Sequence, residues 1–159
     1  MTSEGPKRGP GARAPLFDRL FDRGPRQHEE MHPHRVLARD RVVESVALEI
    51  LRLLNTRCAG TIETLEGQER TVFNYGLPDF FALSPTSDGD RQRLARLIAD
   101  AVRAYEPRVR NPVVRVTADP RDGRGFRIVL DGTLVLGDLA EPVSFPLLIP
   151  RRGGAILPG

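Results

Sequence analysis

The hydrophobic pattern of the chain changes its period at Pro107, and this change constrains the fold more than any other feature. Before the proline, two segments place apolar residues at steps of three and four, which is the spacing of one helix face. After it, apolar residues tend to occupy alternate positions, as in a half-buried strand. Proline disfavours helical conformation at the preceding Glu106, so the second helix is predicted to end there. The sequence thus predicts helices first and a sheet second.

Both helical segments carry a broad apolar stripe. The first segment runs from Val36 to about Asn55, and the second follows a turn cluster at 84–90 and ends at Tyr105. The stripe of the first is formed by Val43, Val46, Ala47, Ile50, Leu51 and Leu54. The stripe of the second is formed by Leu94, Leu97, Ile98, Ala101, Val102 and Tyr105. Such stripes require burial, so both helices are predicted to pack against the rest of the fold.

The segments that predict strands of one antiparallel sheet are 112–118, 126–136 and 142–150. The second keeps its apolar residues at even positions, which favours one long strand over a hairpin, with Gly132 as a bulge or a point of close approach. The third contains Pro146 and Pro150, which lack an N–H group, so it is predicted to lie at an edge or to meet a bulge. The predicted fold class is α+β, with two main helices packed on a small three-stranded antiparallel sheet, plus a short N-terminal helix.

The chain divides into five sections of different character. Residues 1–15 are rich in Gly, Pro and Arg and nearly free of bulky apolar side chains, so they predict a disordered arm. A short docking helix is predicted at 16–24, a linker at 25–35, a single α+β domain at 36–150 and a flexible tail at 151–159.

The docking helix carries an apolar stripe formed by Leu16, Phe17, Leu20 and Phe21. Two turns of helix are marginal in water on their own, so this stripe has to dock on something. Packing on its own domain and insertion into the groove of a partner protein both remain open.

The positive charge of the chain lies mainly outside the predicted domain. Residues 1–40 carry eight Lys and Arg against six Asp and Glu, and Arg151 and Arg152 add two more cations. Since the net charge of the whole chain is +3, residues 41–150 carry a net charge of −1. A nucleic-acid-binding domain should carry its positive charge on the folded surface, so no nucleic-acid partner is predicted.

The cysteine content and the apolar runs bear on the compartment. Cys58 is the single cysteine, so no disulfide can form within one chain, which favours a reducing compartment. The N-terminal stretch has no apolar region of the kind a signal peptide needs. No apolar run is long enough to span a bilayer. The expectation is a cytoplasmic protein without direct membrane insertion.

The residue pattern predicts no catalytic residue, no metal site and no cofactor. The histidines, His28, His32 and His34, lie in the linker without a nearby cysteine and form a weak ligand set. No hydrolase or phosphate-binding motif occurs. A glycosidase needs two carboxylates on fixed elements that flank a cleft. The candidates, in number only, are Glu63, Glu66, Glu69, Asp79 and Glu106.

The stretch N-Y-G-L-P-D-F-F at 74–81 predicts a structural loop. Its glycine and proline exclude a regular element, so its bulky side chains are expected to plug the core. The residues of the predicted loop are Tyr75, Gly76, Leu77, Pro78 and Asp79.

Four short stretches occur together in one order: L-F-D-R-L near the N-terminus, L-L-N-T-R at 53–57, N-Y-G-L-P-D at 74–79 and E-P-R at 106–108. The strand sequences V-L-D-G-T-L and V-S-F-P-L follow them in the same order. On this set the chain resembles the TssE subunits of bacterial type VI secretion baseplates, in the family of tailed-phage baseplate wedge proteins. The resemblance covers roughly residues 16–149.

The resemblance implies a structural component of the type VI secretion contractile machine. The protein would join the core bundle of the wedge with the subunits TssF and TssG, and would initiate sheath assembly with TssB and TssC by docking and strand exchange. It would lie in the baseplate at the cytoplasmic face of the inner membrane. A peptidoglycan-cleaving, lysozyme-like glycosidase is the alternative function.

Within that resemblance, Glu106, Pro107 and Arg108 are predicted to bind a partner, as is the stripe of the docking helix. Pro107 stiffens the backbone, so both charged side chains have little entropy to lose on docking. Arg108 would offer a fork of donors to carboxylates or helix-end carbonyls of the wedge bundle. The variant Arg108→Ala is expected to keep a normal melting temperature and to lose wedge binding.

Overall fold

The computed structural model of the chain describes residues 12–13, 36–37, 39–121, 123, 125–137, 139–150 and 154–159. Their helices are α1 (Arg39–Asn55), α2 (Ile62–Leu65) and α3 (Asp88–Tyr105), with a 3₁₀ turn at Val72–Asn74. Their strands are β1 (Ala12–Arg13), β2 (Val36–Leu37), β3 (Val109–Ala118), β4 (Phe126–Leu136), β5 (Leu139–Ile149) and β6 (Leu157–Pro158). The predicted α+β class is confirmed.

The main sheet is antiparallel, with the strand order β3-β4-β5-β6. Strand β4 is one continuous strand, as predicted, and Gly132 is a point of close approach. A Cβ atom at this glycine would lie 2.7 Å from Cγ1 of Val109 on β3. The bulge lies on β3 instead, where the register shifts between Arg110 and Val113.

A fourth strand corrects the predicted three-stranded sheet. Strand β6 pairs with Leu147 and Leu148 of β5, within the segment predicted to be a flexible tail. Ile156, just before β6, is buried. The side chain of Asn55 holds it there, because its Oδ1 accepts from the backbone N of Ile156 at 2.6 Å and its Nδ2 donates to the carbonyl of Ile156 at 3.0 Å. The prediction missed this strand because it depends on a contact between residues 101 positions apart in the chain.

Helix α1 begins three residues later than predicted, because Val36 and Leu37 form β2 and pair with β1. Its buried residues are Val42, Val46, Ile50, Leu53 and Leu54, while Val43, Ala47 and Leu51 are partly buried. The predicted stripe of α3 is buried throughout except for Tyr105, which is half-buried. The predicted docking helix and linker, with the stripe of Leu16, Phe17, Leu20 and Phe21 and the three histidines, lie outside the described residues.

One face of the main sheet and the two long helices enclose the core. The buried residues of β4 and β5 are Phe126, Ile128, Leu130, Leu134, Phe145, Leu147 and Ile149. They pack with the buried faces of α1 and α3 in a single cluster. None of the helices in the described ranges combines the length and apolarity that a bilayer crossing requires. Because α3 packs against the sheet, the end of this helix lies directly beside the start of the sheet.

Candidate protein interface at the end of helix α3

The tripeptide of Glu106, Pro107 and Arg108, called here the corner, connects α3 to β3. The backbone N of Glu106 closes the last turn of the helix on the carbonyl of Val102, at 2.9 Å. The carbonyl of Arg108 accepts from the backbone N of Val135 on β4, at 2.8 Å. Since Pro107 also fixes its own φ angle, the corner is held by the helix on one side and by the sheet on the other.

Glu106 and Arg108 form a bidentate ion pair within the corner. Nε of Arg108 donates to Oε1 of Glu106 at 2.6 Å, and Nη2 donates to Oε2 at 2.5 Å. Glu106 is only 4% exposed, whereas the side chain of Arg108 keeps 20% of its surface accessible. Charge-assisted forks of this kind are among the stronger hydrogen bonds in proteins. Glu106 therefore acts as the buried holder of the guanidinium.

Two tyrosine rings connect the corner to the loop before α3. Tyr105 is the last residue of the helix, and its ring packs edge-on against the ring of Tyr75, with centroids 5.0 Å apart. Partial burial of its ring raises the pKa of Tyr75, and the carboxylates of Glu49 and Glu106 raise it further. Tyr75 therefore lies within electrostatic reach of the corner.

The stretches L-L-N-T-R and N-Y-G-L-P-D meet in space. The backbone N of Leu77 donates to the carbonyl of Thr56 at 2.9 Å, and the backbone N of Cys58 donates to the carbonyl of Leu77 at 3.0 Å. Gly76 makes this approach possible, because its φ is +107° and an added Cβ would lie 2.4 Å from the carbonyl oxygen of Thr56. The guanidinium of Arg57 stacks 4.6 Å from the centroid of the Phe80 ring.

The predicted plugging of the core by this loop is correct in part. Leu77 and Phe80 are fully buried, and Gly76 and Pro78 are also buried. Tyr75 and Asp79, by contrast, are exposed, and so is Phe81, at 52%. Tyr75 turns outward because its ring packs against Tyr105 rather than into the core.

The turn just before this loop carries two exposed apolar residues that the sequence analysis missed. Val72 is 83% exposed and Phe73 is 90% exposed. We call this pair the apolar tip. The exposure of this pair is hard to predict from the sequence, because apolar residues in a loop usually predict burial. Only the spacing of Thr71 and Asn74 indicates a capped turn.

Three of the five carboxylates considered for a glycosidase are in a poor setting for one. Both oxygens of Glu106 already accept hydrogen bonds from Arg108. Arg93 pairs with Glu66 at 2.7 Å and holds the pKa of that carboxyl below its ordinary value. Backbone and Thr61 hydrogen bonds, together with Arg93, lower the pKa of Glu63 as well. A glycosidase acid needs the opposite shift. Within the described ranges, no three His, Cys, Asp or Glu residues cluster as metal ligands would.

Strand β3 is the end strand of the main sheet, so its outer edge pairs with no other strand of the described residues. Val113, just beyond the bulge, is 56% exposed. An edge of this kind can accept a strand from another chain.

The comparisons with known proteins bear on this site. The family model described as Baseplate wedge protein gp25 matches residues 40–138, a range that contains the corner and the loop at 74–79. A chain of a solved structure, described as the baseplate complex from the type VI secretion system, has a similar fold, with a TM-score of 0.50 and 21% sequence identity. The match covers 70% of this chain and 96% of that one. No curated protein is significantly similar to the chain.

Proposed function

The chain belongs to the baseplate wedge protein gp25 family, so its role is that of a structural baseplate component, and we propose that the baseplate is the one of a type VI secretion system. The observation that carries the proposal is the family match over residues 40–138, which spans both long helices and reaches to the end of β4. The fold shared with a chain of a type VI baseplate complex supports this choice of machine.

The corner is the proposed contact with the wedge subunits TssF and TssG. Its backbone is fixed by α3 and β4, and Glu106 sets the orientation of the Arg108 guanidinium before any partner arrives. Binding therefore costs little conformational entropy. The accessible part of Arg108 would contact carboxylates or helix-end carbonyls of the partner.

The variant Arg108→Lys tests this contact with little damage to the fold. Lysine keeps a cation beside Glu106 but lacks the planar fork, so we expect binding to purified TssF–TssG to weaken about tenfold, equal to about 1.4 kcal/mol. The matched control is Arg103→Lys, because Arg103 lies on the exposed face of α3 and pairs with Asp100. Equal affinities of wild type and Arg108→Lys would remove the corner from the interface. Failure of the wild type to bind would contradict the proposed function itself.

The outer edge of β3 is the proposed docking site for the sheath subunits TssB and TssC. Residues 113–118 follow the bulge and form the regular part of this edge. Strand addition would protect those backbone amides of 113–118 that do not already bond to β4, so their hydrogen exchange should slow when TssB–TssC is added. The amides of β4 serve as the internal control, since that strand is paired on both sides already. Unchanged exchange along β3 would count against docking at this edge.

The predicted docking helix supplies a further proposed contact. Its stripe of Leu16, Phe17, Leu20 and Phe21 would anchor in a groove of a wedge subunit. Replacing these four residues with serine, which leaves strand β1 in place, should reduce assembly with TssF–TssG and leave the melting temperature of the domain unchanged. A lower melting temperature with normal assembly would mean that the stripe packs on its own domain.

The proposal also includes a location, in the baseplate at the cytoplasmic face of the inner membrane. A fluorescent fusion should form foci at the cell envelope when the other baseplate subunits are present. Diffuse fluorescence in cells with an assembled baseplate would oppose this location.

A further inference from the structure

The apolar tip, Val72 and Phe73, is the most exposed pair of large apolar residues among the side chains that the structure describes. Single exposed apolar side chains are common on protein surfaces and need no explanation. Here two large ones are adjacent, and Phe73 keeps 90% of its surface in solvent. The next most exposed large apolar side chain that the structure describes is Val113, at 56%.

The turn that carries the apolar tip is held in one conformation. The side chain of Thr71 accepts from the backbone N of Phe73, while Oδ1 of Asn74 accepts from the backbone N of Thr71 at 2.7 Å. This reciprocal capping closes the turn at both ends. The tip therefore projects from a fixed backbone, and ordering it on binding costs little.

Tyr105 ties this turn to helix α3. Its hydroxyl lies 2.6 Å from the carbonyl oxygen of Thr71 and 2.7 Å from Oδ1 of Asn74. The hydroxyl of a tyrosine is protonated at neutral pH, and burial raises the pKa of Tyr105 further above that range, so it donates its proton to one of these two oxygens. The residue that follows Tyr105 in the chain is Glu106 of the corner. The apolar tip and the corner are thus attached to the same end of the same helix.

We propose that the apolar tip is a hydrophobic anchor, and that it inserts into an apolar pocket of the same baseplate subunit that contacts the corner. This inference rests on the proposed function. Three observations support this assignment: the tip is apolar, it is preformed, and it adjoins the corner through Tyr105. Rigid aromatic anchors that fill a pocket supply much of the binding energy of protein interfaces. The corner would provide the polar contacts beside that pocket.

The affinity of the full chain for purified TssF–TssG tests the anchor. The double variant Val72→Ala, Phe73→Ala should bind about 10- to 30-fold more weakly than the wild type. Its melting temperature should not change, because both side chains are almost fully exposed. The matched control is Leu48→Ala, which truncates another exposed apolar residue, on α1, and should bind normally.

Each result of this experiment has one meaning. Wild-type affinity in the double variant, with wild-type binding intact, overturns the anchor and leaves the proposed function standing. Absence of binding by the wild type overturns both. Size-exclusion chromatography of the isolated chain adds a third arm. Self-association that the double variant abolishes would assign the tip to a second copy of the chain and overturn the inference.

Discussion

The corner and the apolar tip lie on the two sides of Tyr105 and differ in almost every physical property. The corner is charged, and its acidic member is buried and paired with its basic member. The tip is apolar, and almost all of its surface faces solvent. The residue types alone suggest the reverse, since charged residues usually lie outside and apolar ones inside. The difference teaches that the corner stabilises the fold, whereas the tip contributes little to it.

The scaffold under both regions is the first place to test this comparison. Gly76→Ala would put a Cβ atom 2.4 Å from the carbonyl oxygen of Thr56, at a φ of +107°. We expect the free energy of unfolding to fall by about 2–5 kcal/mol from the combined strain and overlap. Urea denaturation of the purified variant measures it.

A control separates strain from overlap. Gly67 also has a positive φ, of 76°, but an added Cβ would meet no atom within 4 Å. Gly67→Ala should therefore cost only about 1–2 kcal/mol. Equal losses in the two variants would mean that the contact between Gly76 and Thr56 is unimportant.

The next largest effect distinguishes the corner from the tip. Arg108→Ala would leave the carboxylate of Glu106 buried without its main partner, so the free energy of unfolding should fall by about 1–3 kcal/mol. For a chain of this length the melting temperature should fall by about 2–4 °C per kcal/mol. This replaces the expectation, drawn from the sequence, that the variant melts normally.

The control for this prediction removes both charges at once. The variant Glu106→Leu, Arg108→Met leaves no unpaired charge, so much of the stability should return. Calorimetry of the wild type and both variants gives the comparison. A normal melting temperature for Arg108→Ala would show that the corner contributes no more to stability than the tip.

Local chemistry made much of this fold predictable. The end of α3 follows from Pro107, and the long strand β4 follows from an unbroken alternation in which Gly132 leaves space for β3. Strand β6 was not predictable, because two residues of strand carry no pattern. The bonds between Asn55 and Ile156 hold this segment in place, and they join residues 101 positions apart.

The site was predictable in its residue types and less so in its environment. The sequence indicated Glu106 and Arg108 as a stiff charged pair, but burial of Glu106 depends on how the helix meets the sheet. An apolar residue such as Phe73 is expected to be buried. It is exposed because local capping and the hydroxyl of Tyr105 hold the turn away from the core. Hydrogen bonds between distant segments leave little trace in one sequence.

A smaller effect tests the connection between the two regions. Tyr105→Phe keeps the ring beside Tyr75 but removes the hydroxyl near Thr71 and Asn74. We expect a loss of about 0.5–1.5 kcal/mol in the free energy of unfolding and faster amide exchange at 71–74. Exchange at Glu106 and Arg108 should stay slow. Unchanged exchange in the turn would mean that its capping residues hold it without help from α3.

The smallest effect concerns pH, and it contrasts the buried ion pair of the corner with an exposed one. Arg93 hydrogen-bonds Glu66 and lowers the pKa of that carboxyl below its ordinary value of 4.5. Because the folded-state pKa is lowered, this stabilisation is complete above pH 4.5 and is lost as the pH falls through the lowered value. Arg93→Ala should therefore reduce the difference in melting temperature between pH 6 and acidic buffers, and only slightly, since both side chains reach solvent. Thermal melts of wild type and variant at a series of pH values measure it. An equal loss of stability at all pH values would show that Arg93 stabilises the fold by packing and not by its charge. The exposed pair would then differ from the corner in making no electrostatic contribution to stability.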